Sequence, residues 1–165
     1  MKSSLFLACA IVSAASLAPA AAETACSVTE PSGRRDLPFP ESPTWHGTAK
    51  LAVQLPRNGV WPTTQPGALI AVKLFWWSTE FELGYEPYLH VRVTELSGQL
   101  DTAKVSRTTN AIMGKDIAML TGIDFPDPGC WEVTGEYLGE ILTFVVEVVP
   151  VDEYRLLALL SPGPQ

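Results

Sequence analysis

Two histidines, three cysteines and eighteen acidic side chains are the main material for chemistry in this chain of 165 residues. Nucleophilic hydrolysis needs a nucleophile, a base and an orienting group brought together. His46 lies in the loop Trp45-His46-Gly47, and His90 on the polar side of an alternating segment. No Gly-x-Ser-x-Gly elbow accompanies them, and no glycine loop of the kind that cradles phosphates. A metal site needs several ligands converging, and two distant histidines with a committed cysteine pair make a poor set. The acidic pairs Asp124/Asp127 and Asp152/Glu153 lack the dense oxygen spacing of a calcium loop and read as solvated surface. The expectation is a protein without catalysis, metal or cofactor.

The cysteines point elsewhere. Cys9 falls inside the apolar leader, which leaves Cys26 and Cys130. In an oxidising compartment two lone cysteines pair with each other, and closing so long a loop is worth roughly 4 to 5 kcal/mol. The alternative, a reactive or metal-bound thiol, needs a nearby base or ligand cluster that the sequence does not show.

Tryptophan is abundant, at five residues. Trp76 and Trp77 are adjacent, so on a strand they point to opposite faces and only one enters the core. Exposed Trp on a β-sandwich holds carbohydrate and peptide ligands, whereas buried Trp fills the space between sheets. The candidate ligand-contacting residues are Trp61, Trp76, Trp77 and His90.

These side chains need a scaffold, and the chain divides into four parts. Residues 1–22 carry Lys2, an apolar run from Leu5 to Leu17 and a small-residue site Ala20-Ala21-Ala22, the order of a secretory signal peptide. Residues 23–44 form a Pro-rich arm, 45–150 a β-domain and 151–165 a tail. Glu23-Thr24-Ala25 ahead of Cys26 places an acidic residue where lipoprotein processing needs Leu, so lipid anchoring is disfavoured. No other stretch is long and apolar enough for a membrane span. A net charge of −7 argues against nucleic acid, which requires a clustered basic surface. The expected location is the periplasm or the exterior.

Within the β-domain short apolar runs alternate with turns. Tyr88 to Glu95 has a period of two, with Leu89, Val91 and Val93 on one face. Cys130 to Glu136 and Glu140 to Val149 flank Tyr137-Leu138-Gly139 as a hairpin, with Leu142, Phe144, Val146 and Val148 on one face and Val133 opposite. About seven to eight strands without a helical run among them predict an all-β, antiparallel Ig-like or fibronectin-like sandwich, with a Greek-key barrel as alternative. Asp152 to Leu160 fits two helical turns carrying Leu156, Leu157 and Leu160 on one side. This Leu-rich tail either docks on the sandwich or contacts a partner.

Cys26-Ser27-Val28-Thr29, Trp45-His46-Gly47, Lys73-Leu74-Phe75-Trp76-Trp77, Leu142-Thr143-Phe144-Val145-Val146 and above all Gly129-Cys130-Trp131-Glu132-Val133-Thr134-Gly135 carry a resemblance. The chain is similar to a family of small exported bacterial proteins of unassigned activity, with a departure between Ser78 and Asn110. The resemblance implies a bacterial, exported β-domain. The function expected is a secreted or periplasmic non-catalytic binding or interaction module for a protein or carbohydrate ligand. A small exported hydrolase or redox protein is the alternative, and a structural envelope component a further one.

Overall fold

The computed structural model describes residues 26–32, 44–56, 58–64, 71–84, 86–97, 103–113 and 116–160. The expected signal peptide and much of the Pro-rich arm lie outside them. Ten strands and one helix are present among the described residues: β1 Trp45–Gly47, β2 Ala52–Gln54, β3 Val60–Pro62, β4 Val72–Trp77, β5 His90–Glu95, β6 Lys104–Val105, β7 Thr109–Met113, β8 Asp116–Asp124, β9 Gly129–Tyr137, β10 Glu140–Val149 and α1 Val151–Leu160. They form two sheets. One runs β1-β2-β4-β8 and ends on β6 and β7, which pair with successive parts of β8; the other runs β3-β10-β9-β5.

The fold is an all-β sandwich, not a barrel. Strands β2, β4, β8 and β6/β7 stand in the order of the four-stranded sheet of an Ig domain, and β10, β9 and β5 in that of its partner sheet. The strand count exceeds the expected seven to eight. The additional strands include β1, read from sequence as a loop, and β7, read as a polar stretch; both are short edge segments without a clear period of two. One pair departs from the antiparallel expectation: β3 runs parallel to β10, with Val60 beside Glu147 and Pro62 beside Val149.

The final hairpin has the expected faces. Phe144 pairs with Val133, and Phe144, Val146 and Val148 are buried, with Leu142 packed against the same core. Aromatic rings cross the interior in sequence, each within 6.3 Å of the next between centroids: Trp131, Phe125, Trp61, Phe144 and Trp76. Tilted and edge-on packing of this kind adds to the area these rings bury.

The segment 26–32 closes the flank formed by β1 and β3. Thr29 N–H donates to the Val145 carbonyl (2.9 Å), Val145 N–H donates to Thr29 Oγ1 (2.9 Å), and Ser32 N–H donates to the Trp45 carbonyl (3.1 Å). It therefore bonds to a strand of each sheet, and the Cys26–Cys130 disulfide, with Cα atoms 5.5 Å apart, fixes its start. Helix α1 begins directly after Pro150 with Asp152 and Glu153 in its first turn, where the helix dipole favours negative charge. It lies against β3. Its docked side carries Val151, Tyr154 and Leu157, each half-buried. Leu156 is 57% exposed, which corrects the expected grouping of Leu156 with Leu157.

Candidate functional site

The residues expected to meet a ligand are dispersed by the fold. Trp61 and Trp76 are buried in the core, so their rings are taken up by packing and offer no contact surface; this corrects the sequence reading for both. Trp77 points the other way, as adjacent strand positions must, and packs half-buried with Phe75 against Trp45 and Ala52 on the outer face of its sheet. His90 is exposed at the start of β5 in the other sheet. Nothing brings Trp77 and His90 together.

His90 nevertheless lies in a cleft that the fold creates. Strand β5 ends one sheet, and β6 with β7 ends the other on the same side of the molecule. Between these edges lies a cavity of about 410 Å³, lined by Tyr88, His90, Val91, Val105 and Arg107 among others. Cross-strand partners share a face of a sheet. Val105 pairs with Ile123 and Ile112 with Ile117, both part of or packed against the core, so Val105 and Ile112 also face inward. They are nevertheless 36% and 70% exposed. Among the described residues the second sheet stops at β5, which leaves Val105 uncovered in the cleft, while Ile112 lies about 20 Å away at the other end of β8 and outside the cleft lining.

Polar contacts hold this flank in shape. Thr108 Oγ1 donates to the Leu89 carbonyl (3.0 Å) and lies 3.1 Å from Thr121 Oγ1, a buried stitch between the sheet edges. Arg107 pairs with Glu86 at the rim. Tyr88, 72% exposed, projects an aromatic ring beside His90. Such a surface offers stacking, an imidazole, an apolar wall and a free strand edge. The sequence singled out His90 but missed Tyr88 and Val105. The signal of Val105, an apolar residue at an inward position of a short strand, becomes visible only when the edge of the opposite sheet is known.

A second, larger groove of about 930 Å³ runs beside the disulfide, where Glu95, Asp127, Glu147 and Glu153 stand among Cys26, Cys130, Val145 and Val149. Glu95 is buried and accepts from Ser97 N–H (3.0 Å) and Ser97 Oγ (2.7 Å). Among the described residues no three His, Cys, Asp or Glu side chains are placed to share a metal ion. His46 is half-buried on β1, and burial lowers its pKa below the usual 6.5, partly opposed by a backbone hydrogen bond at Glu30.

The chain matches no protein-family model, no curated protein and no solved structure. No helix among the described residues is long and apolar enough to cross a membrane. The disulfide is of a kind that forms and persists in oxidising compartments.

Proposed function

We propose that the protein is a non-catalytic Ig-like binding module, exported by residues 1–22 to the periplasm or beyond, whose ligand contacts the open flank between β5 and β6/β7. The observation that carries this reading is the exposure of Val105 at a position that faces the interior, in the same cleft as Tyr88 and His90. A sandwich normally covers such side chains, and an uncovered inward face next to an exposed aromatic ring suits a binding surface. The disulfide accords with export. The Gly129–Gly135 motif, by contrast, serves the scaffold: Cys130 holds the arm, while Trp131, Val133 and Gly135 face the core.

Glycan and peptide arrays probed with the labelled protein test the proposal, with Tyr88→Ala and Val105→Asp as variants. Binding retained by the native protein and lost in both variants, with far-UV spectra unchanged, supports it. Binding indifferent to both variants places the ligand elsewhere and overturns the assignment.

A further inference from the structure

Resting on that reading of the flank, we infer that its ligand is an extended polypeptide of another protein, added as a strand to the free edge of β5 and carrying acidic residues at its outward positions. The direction of the β5 backbone is set by two bonds. Leu96 N–H donates to Cys130 on β9, and the Leu89 carbonyl accepts from Thr108 on the opposite side. Backbone groups alternate along a strand, so even-numbered residues of β5 bond to β9 and odd-numbered ones face away. Val91 and Val93 thus present their N–H and C=O groups to the open edge, and β5 has no second neighbour among the described residues. An added strand would satisfy these groups, and its inward side chains would lie over Val105.

Charge selects the occupant. Outward from β5 point His90, Arg92 and Thr94, all exposed. Arg92 has no ion-pair partner among the described residues and stands opposite Thr134 of β9, with Glu132 and Glu136 one pair further along on either side. A second copy of this chain is a poor strand for the site. Antiparallel self-pairing of Val91 with Val93 sets Arg92 opposite Arg92, and pairing centred on Val93 sets it opposite Thr94, so neither gives the guanidinium an acidic partner. Like charges in directly opposed positions destabilise a sheet. An arriving strand with Glu or Asp beside Arg92 and apolar residues facing Val105 meets both requirements.

The test is amide exchange by NMR on the full exported protein, with short capped peptides alternating Glu with Val, and the same peptides with Lys in place of Glu. The Glu–Val peptide is expected to slow exchange at Val91 and Val93 by at least about tenfold while leaving the amides of Arg92 and Thr94, already bonded to β9, unchanged. Arg92→Glu is expected to reverse the preference between peptides. Val91→Pro removes an outward N–H without touching the β9 bonds, a substitution edge strands accept, and is expected to abolish the effect. Absence of protection, equal response to the Lys peptide, or protection of both amides in a peptide-free dimer overturns the inference. Glycan binding that depends on Tyr88, with no response to either peptide, leaves the binding module standing and removes strand addition alone.

Discussion

The indole of Trp76 on β4 lies against the backbone of Gly135 on β9, where a Cβ would overlap the far edge of the ring. In antibody domains an inter-sheet disulfide joins the two strands that hold these places in the strand order. In this protein the disulfide ties the arm to β9, and an indole seated on a glycine makes the cross-sheet contact between β4 and β9. Gly135→Ala is therefore expected to cost about 1 to 3 kcal/mol through overpacking. The smaller ring of Trp76→Phe should relieve part of that loss, so the double variant is expected to be more stable than the sum of the single losses implies. Denaturant midpoints for the four proteins check this, and strict additivity would refute the contact.

Phe144 and Thr143 occupy opposite faces of β10. Phe144 is buried among Trp61, Trp76 and Val133. Thr143 is exposed, with its hydroxyl 3.0 Å from that of Thr134. Phe144→Ala is expected to destabilise by roughly 3 to 5 kcal/mol, the transfer loss together with a cavity. Thr143→Ala is expected to cost about 1 kcal/mol or less. Equilibrium unfolding of the two variants measures the contrast, and equal losses would be incompatible with the register.

The features of this fold that were legible in the sequence are those that repeat with period two over many residues. The 129–149 hairpin and the strand through Val91 and Val93 are long enough for alternation to fix both their faces and their neighbours. The Cys26–Cys130 pairing was legible because these are the two cysteines left once the expected leader with Cys9 is set aside. Trp45–Gly47 and Thr109–Met113 are too short or too polar to alternate visibly, and pairing with β2 and β8 makes them strands. The open flank was hidden for a related reason. Val105 is exposed because, among the described residues, the opposite sheet stops at β5, a property of sheet order that no local window contains. Trp61 and Trp76 were ambiguous because tryptophan serves cores and binding faces alike, and here the core took both.

His46 gives the fold a pH dependence with a defined sign. Burial lowers its pKa below 6.5 in the folded state, so the neutral ring is favoured there. The unfolded chain then binds more protons in the window between the two values, and stability rises with pH across it. Its contribution is fully present above the unfolded value near 6.5 and is lost as pH falls through the lowered folded value. His46→Gln is expected to flatten the curve of denaturant midpoint against pH in that window while leaving the more acidic limb, governed by carboxylates, in place. A native protein that gains stability relative to the variant on acidification would contradict this assignment.

The arm gives the last prediction, because two independent fastenings hold it. The Cys26–Cys130 bond spans a sequence separation of 104 residues, for which chain-entropy arguments give at most about 4 to 5 kcal/mol. Beyond it, Thr29 exchanges two hydrogen bonds with Val145, and Val28 covers Gly59 so closely that a Cβ there would overlap it. Protein produced without residues 1–22 should take up no alkylating label before reduction and two labels after it, as read by intact mass. Cys26→Ala with Cys130→Ala is expected to lower global stability by roughly 2 to 5 kcal/mol. In that double variant the Thr29 amide should exchange faster relative to the amide of Val133, because local opening of the arm no longer needs the core to unfold. Thr29→Ala should cost only about 1 kcal/mol, since it removes the hydroxyl acceptor at Val145 and leaves the backbone bond. If Thr29 and Val133 keep the same exchange ratio after both cysteines are replaced, the hydrogen bonds alone fasten the arm and the disulfide acts only on the unfolded chain.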